Sequence, residues 1–353
     1  MTSPISLDDA RHARKLGLKL VTDATPGITR ERRGAKKFAY RSPTGQLILS
    51  EHHLQRIASL AIPPAWEQVW ICPNPHGHIQ ATGRDAKGRK QYRYHPTWRA
   101  HREATKFGRM AEFGEALHAI RVATSKHLRA RALNREKVLA TVVALLERTL
   151  IRVGNEEYAR ENQHYGLTTL RAKHVTIRGA RVHFEFLGKS GQKRVVDLVD
   201  RRLSNIMKAL LAIPGRELFH WRDAEGRKHV VDSRDVNAYL REISGQDFTA
   251  KNFRTWAATV QAASALVALT PEPTKTALKR AVVGMVKDVA CKLGNTPAVC
   301  RNSYIHPRVI SAFNERELVL AASRAHRHLE QLSDAERAVL EFLRGPVRRR
   351  LAA

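Results

Sequence analysis

The chain has 353 residues and a formal net charge of +29, with 62 Lys and Arg against 33 Asp and Glu. Hydrophobic residues make up 43% of it, enough for packed cores, and at roughly 100–200 residues per domain the length predicts two domains. So large a positive field, spread along the whole chain, calls for a polyanionic partner, and nucleic acid leads because neutralising phosphates releases counterions. A basic membrane-surface protein would need amphipathic basic helices with aromatic anchors, and only short basic helices are legible. The longest apolar stretch, Trp256–Leu269, is broken by Thr259, Gln261 and Ser264 and is too short to span a bilayer. Cys72, Cys291 and Cys300 lack CxxC spacing and the histidines lack HExxH, so no disulfide scaffold, zinc site or other metal is expected. The first residues show no apolar signal segment, and a reducing, cytoplasmic setting follows.

Residues 1–100 are turn-rich. "GITRERRGAKKFAYRSPTGQLIL" alternates and breaks at Pro43-Thr44-Gly45, which predicts a hairpin there. Leu54, Ile57, Ala58 and Leu60 suit a short helix stopped by Pro63-Pro64. Strand-like runs follow around Val69–Ile71 and His78–Thr82. The expected domain is small, antiparallel and strand-rich.

After about Arg99 the pattern becomes helical. Asn134 is an N-cap candidate, and Val138, Leu139, Val142, Val143, Leu145, Leu146 and Leu150 follow helical spacing to a stop at Gly154. Asn155–His164 can form another helix. Val182, Phe184 and Phe186 alternate between turn signals at Arg178-Gly179 and Gly188–Gly191, a β-meander inserted among helices. From Arg201 onward only helices are expected, with breaks near Pro214, Pro271–Pro273 and Pro297 and a solvated tail. The predicted fold class is α+β: a β-rich domain over 1–100 and a larger, mainly α-helical domain over 101–353.

"FLGKSG" ends like a phosphate loop, but GxxxxGK[ST] would need Gly where His183 stands, and no helix follows, so ATP binding is rejected. Lys189 is then a hairpin-tip lysine, which by itself reads as an exposed turn residue. Arg152 closes an apolar helix, where complementing the macrodipole explains it equally well. Lys251 and Arg254 share a helix face at i, i+3 and imply a solvated surface or a shared anion. Tyr304 alone reads as a packed ring or as a nucleophile. Taken in order, two arginines, a hairpin lysine and a tyrosine can transfer a phosphoryl group without metal. The tyrosine attacks, the arginines hold the non-bridging oxygens, and the lysine protonates the leaving oxygen.

Five stretches in order, "IRVGNEEY" (Ile151–Tyr158), "YGLTTLRAKHV" (Tyr165–Val175), "FEFLGKSG" (Phe184–Gly191), "KNFRTWAAT" (Lys251–Thr259) and "LGNTPAVCRNSYIHP" (Leu293–Pro307), resemble the small, poxvirus-like bacterial type IB DNA topoisomerases. Ile28–Gly45 and Ile62–His95 are similar to that family's amino-terminal domain. The resemblance implies that Tyr304 is the nucleophile of a 3′-phosphotyrosyl bond. It implies that Arg152 and Arg254 bind the phosphate, and that Lys189 is the general acid towards the 5′-oxygen. Asn295 falls where many members have histidine bonded to a non-bridging oxygen. A neutral amide donor there costs roughly 1 kcal/mol, about fivefold in rate, against a charged one. Gln91, Tyr92 and Tyr94 match DNA-contact positions, and Tyr158 and Lys251 match phosphate contacts. The resemblance also implies duplex DNA as the partner and a clamp of two domains around it. It implies a monomer near the nucleoid that uses no cofactor, small-molecule substrate or membrane.

His174, Trp66, Trp70, Trp256 and Cys300 are read as structural. On one ideal helix, nine residues rotate about 900°, so Asn295 and Tyr304 would face opposite ways. Thr296-Pro297 must break the chain and leave Asn295 at a helix end with Tyr304 on a separate segment. The rivals are a tyrosine recombinase, which would read HxxR where this chain has Lys251-Asn-Phe-Arg254 and would begin with a helical domain, and a non-catalytic architectural DNA-binding protein.

Overall fold

The structure, a computed structural model, describes residues 7–34, 37–269, 274–321 and 329–345. It divides into two compact units, 1–107 and 108–353. The first unit holds α1 (Leu7–Lys15), β1 (Ile28–Arg32), β2 (Phe38–Arg41), α2 (Glu51–Ser59), β3 (Glu67–Ile71), β4 (Ile79–Arg84) and β5 (Lys90–Tyr94), and ends in α3 (Pro96–Gly108). Its strands form one antiparallel sheet in the order β2-β1-β3-β4-β5. Ile28, Val69, Ile71 and Ala81 face Ile57 of α2 and make the core.

Two hairpins follow one another, and the sequence marked the second of them. β1 pairs with β2 across residues 33–37, from Thr29 opposite Arg41 to Arg32 opposite Phe38. The Pro43-Thr44-Gly45 turn closes the expected hairpin, a short one in which Arg41 bridges Leu47, Ser42 N donates to Gln46 O at 2.8 Å and Ile48 N donates to Tyr40 O at 2.8 Å. Gly34 takes a positive φ of 99° in the turn between β1 and β2.

The second unit begins with α4 (Met110–His127), α5 (Arg135–Thr149) and α6 (Glu156–Asn162). The antiparallel meander β6 (Val175–Arg178), β7 (Arg181–Leu187) and β8 (Lys193–Val199) follows. After α7 (Arg201–Ala212) comes a two-stranded ribbon, β9 (His220–Arg222) and β10 (Lys228–Val230). The remaining helices are α8 (Ser233–Ser244), α9 (Ala250–Val267), α10 (Lys275–Leu293), α11 (Pro297–Ser303), α12 (Pro307–Asn314) and α13 (Asp334–Arg344). The β9–β10 ribbon corrects the all-helical expectation after Arg201. Its turn is set by Asp223, whose carboxylate accepts from Arg227 N at 2.8 Å, and by Gly226 at φ 77°.

α5 is the axis of this unit. Asn134 caps it, with Oδ1 accepting from Lys137 N at 3.0 Å, and every residue from Val138 to Leu146 is buried. A helix apolar on all sides belongs inside a bundle. α5 stops at Thr149 and not at Gly154, because Leu150 turns left-handed at φ 54°. A leucine there costs about 1–2 kcal/mol. The core around it packs Leu150 with α9, α10, Cys300, Ile305 and α12, and with Val339 of α13. The expected break at Pro271–Pro273 and the tail lie outside the described residues, as do residues 322–328 of the C-terminal extension.

Candidate active site

Helix α10 ends with three carbonyls that have no partner within the helix. Each receives an arginine from a different segment. Arg194, on β8, donates from Nη2 to Lys292 O at 3.1 Å. Arg254, on α9, donates from Nη2 to Leu293 O at 2.7 Å. Arg152, in the stretch after α5, donates from Nη2 to Gly294 O at 3.2 Å and to Asn295 Oδ1. The negative end of the α10 dipole therefore gathers three guanidiniums. Gly294, at φ 60° and ψ 52°, makes the turn that presents these carbonyls.

Arg152 stands in an extended stretch beyond the helix, which corrects its reading as a helix-terminal residue. Leu167 N donates to Arg152 O at 2.9 Å and Thr168 N to Val153 O at 2.7 Å, so its backbone is laced to residues 167–168. The lacing needs glycine at 166, since a Cβ there would lie 2.6 Å from Arg152 O.

Arg254 is 4% exposed. Its Nη1 donates to Leu150 O, so the carbonyl freed by the left-handed end of α5 is taken up by the arginine of α9. Burial pushes the guanidinium down to about 10, and the charge of Arg152 adds to the effect. It stays protonated at neutral pH. Burial and the field of Arg152 likewise lower Arg194. Two buried donors of this site, Arg254 Nε and Asn295 Nδ2, have no partner among the described residues. Buried unsatisfied donors beside mutually repelling cations make a receptor that an oxyanion would complete.

Tyr304 closes α11. Thr296 caps that helix and Pro297 begins it, which breaks the chain between Asn295 and Tyr304 as the spacing requires. The Arg254 guanidinium carbon lies 5.4 Å from the centre of the Tyr304 ring. The Thr259 hydroxyl, fully buried five residues along α9, accepts from His306 N at 3.1 Å and lies 3.3 Å from Tyr304 O. One helix thus carries both a cation on the tyrosine ring and the pin for its backbone.

The structure brings Arg152, Arg254, Asn295 and Tyr304 together. It does not bring Lys189 into contact with them. Lys189 is exposed at the tip between β7 and β8, and among the described residues it has no hydrogen bond or ion pair. The tip is tight, with Ser190 at φ 65° and Gly191 at φ 73°. Lys251 is exposed one turn before the buried Arg254, so their shared face runs from solvent into the core.

Tyr92 and Tyr94 stack at 5.8 Å on one face of the edge strand β5. Gln91 falls on the opposite face, where its Nε2 donates to Asp85 Oδ2 at 2.9 Å, because successive strand residues alternate. Tyr158 lies in α6, and its side chain is outside the described residues. Trp70 donates to Thr25 O at 2.9 Å, Trp256 is buried against Glu336, and Trp66 packs on the first unit's core. His174 packs on Tyr165 at 4.3 Å. Cys300 is buried, and burial pushes its thiol up to about 11. Among the described residues no three His, Cys, Asp or Glu side chains cluster as metal ligands, and no helix is long and apolar enough to cross a membrane.

Arg194 was not legible as a site residue. The signal for it is the strand period: it lies opposite Phe186 and two before Val196, in the row that faces the core.

A strand-rich unit joined to a helical one that gathers arginines, an amide and a tyrosine near one helix end has the make-up of a phosphodiester-handling enzyme. The family model described as the eukaryotic DNA topoisomerase I catalytic core matches residues 95–330, and that of the bacterial DNA topoisomerase IB N-terminal domain matches residues 37–85. The DNA topoisomerase 1B of Acanthamoeba polyphaga mimivirus is 34% identical over 287 residues, 79% of this chain and 85% of that protein. The DNA topoisomerase 1B of Vaccinia virus (strain Copenhagen) is 23% identical over 265 residues, 73% of this chain and 79% of that protein. The chain belongs to the type IB DNA topoisomerases.

Proposed function

We propose that this protein relaxes supercoiled duplex DNA by two transesterifications at the Tyr304 site. The Tyr304 hydroxyl loses its proton to solvent and its oxygen attacks a backbone phosphorus. The P–O5′ bond breaks, Lys189 gives its proton to the departing 5′-oxygen, and a 3′-phosphotyrosyl bond remains. Arg152 and Arg254 hold the non-bridging oxygens, with Asn295 Nδ2 donating a further bond. The free 5′ end rotates about the intact strand, and its hydroxyl then attacks the phosphotyrosine and reverses the step. Bond energy is conserved throughout, so torsion in the DNA drives the reaction and no ATP or metal is required.

The observation that supports this reading is the convergence of Arg152, Arg254, Asn295 and Tyr304 from separate segments, with two buried donors left for a phosphate. The β-hairpin carrying Lys189 belongs to the same reading, in which DNA brings the exposed lysine to the leaving oxygen. Both units hold the duplex, as a clamp with a recombinase-type catalytic domain. Tyr92, Tyr94 and Gln91 contact DNA from the first unit, and Tyr158 and Lys251 contact phosphates from the second. The protein acts as a monomer in the cytoplasm, at the nucleoid.

The test is supercoiled plasmid incubated with the protein and EDTA, without ATP, followed by detergent. Relaxation and a covalent protein–DNA adduct are expected. Tyr304→Phe should bind DNA and form no adduct. A persisting adduct would place the nucleophile elsewhere, and exchange between two specific sites would make the protein a recombinase.

A further inference from the structure

We propose that Arg194 is a positioning residue that docks the Lys189 hairpin onto the end of α10, so that the general acid and the phosphate-binding groups act as one unit. This rests on the assignment of Lys189 as the acid. Arg194 and Lys189 share one hairpin, and Arg194 is the residue of it that reaches the α10 carbonyls. Its path is lined by two missing side chains. A Cβ at Gly188 would lie 3.0 Å from Arg194 Cγ, and a Cβ at Gly294 would collide with its guanidinium, 2.7 Å from Cζ. The arginine therefore crosses from the base of the lysine tip to the turn that holds Asn295 and Arg152. It is half-buried, while its strand neighbours Lys193 and Val195 are exposed.

The three arginines lie within one another's fields, since the charge of Arg152 bears on both Arg194 and Arg254, and that of Arg194 on Arg254. Holding Arg194 against this repulsion needs the α10 carbonyls. An arginine placed only to stabilise β8 would have no need of the α10 terminus. The docking also ties the hairpin that carries the exposed lysine to the turn that holds Asn295. The hairpin base is fastened by Tyr165 N to Leu187 O at 2.7 Å on one side and by Arg194 on the other.

The leaving group separates this role from general stabilisation. When the 5′-bridging oxygen of the scissile phosphate is replaced by sulfur, attack by Tyr304 breaks a P–S bond. The thiolate leaves with the electron pair and needs no proton. Single-turnover cleavage is measured on a duplex oligonucleotide carrying a site mapped with the wild-type protein, with oxygen or sulfur at that bridge. Arg194→Ala and Arg194→Met should both cleave the oxygen substrate at least tenfold more slowly than wild type and cleave the sulfur substrate within about threefold of it. Arg194→Lys should recover part of the loss, because an ammonium can still donate to Lys292 O. Lys189→Ala should be rescued by sulfur in the same way. Full activity of Arg194→Ala on oxygen overturns the proposal. So does an equal loss on both substrates while Lys189→Ala is rescued, which leaves the Lys189 assignment standing. Failure of sulfur to rescue Lys189→Ala overturns that assignment and the role of Arg194 with it.

Discussion

Asn295 has two jobs in one amide. Its Oδ1 accepts from Arg152, and its Nδ2 is buried without a partner among the described residues. Asn295→Ala removes both, so cleavage should slow by about fivefold or more, one neutral hydrogen bond in the transition state plus a loosened Arg152. Asn295→Asp keeps the acceptor but replaces the donor with a negative charge facing the phosphate. It should be slower than Ala in the same single-turnover assay; a faster Asp variant would show that holding Arg152 is all the residue does. Asn295→His should retain or exceed wild-type activity, because a neutral imidazole can accept from Arg152 and donate to the phosphate together. The neighbouring Gly294 tolerates no side chain. Gly294→Ala strains the left-handed turn by about 1 kcal/mol and displaces the Arg194 guanidinium, so both melting temperature and cleavage rate should fall.

At the scale of elements, local signals were legible where they act within a few residues. The Asn134 cap, the Thr296-Pro297 break and the alternation of Val182, Phe184 and Phe186 all placed their elements correctly. The end of α5 was misplaced because a left-handed leucine has no local signature. It is held by the surrounding core and by Arg254 taking its carbonyl. The attachment of α13 was equally hidden. Arg121 of α4 bonds Glu336 of α13 at 2.6 Å and Glu147 of α5 at 2.5 Å, and Trp256 of α9 donates to Glu336 at 3.1 Å. Burial opposes the charge of Glu336, but Arg121 outweighs it and holds the carboxyl below its ordinary value. Glu336→Gln should cost about 1–3 kcal/mol, read as a lower melting temperature at pH 7. A depressed carboxyl stabilises fully above its ordinary value, and that contribution is lost as pH falls through the lower, folded one. The wild-type advantage over Glu336→Gln should therefore shrink below about pH 4. A constant difference down to pH 2 would assign the stability to packing of α13 alone.

For the whole molecule, the charge of +29 sets how DNA is held. If six or more phosphates are neutralised, log affinity against log salt should fall with a slope of about −5 or steeper. Tyr304→Phe protein titrated into labelled duplex across a salt series measures this without cleavage. A slope shallower than about −3 would confine the interface to the catalytic residues.

The sequence by itself determined the class of partner, the family, the order of the stretches that carry the family resemblance and most element types. Charge, motif order, caps and periodicity are properties of neighbouring residues. The tertiary structure alone decided that Arg152 meets Asn295 across 143 positions and that Arg254 meets Leu150 across 104. It also decided that Arg194 joins them. Burial and the sharing of one helix's last carbonyls depend on which segments the core presses together, and no local rule contains that information.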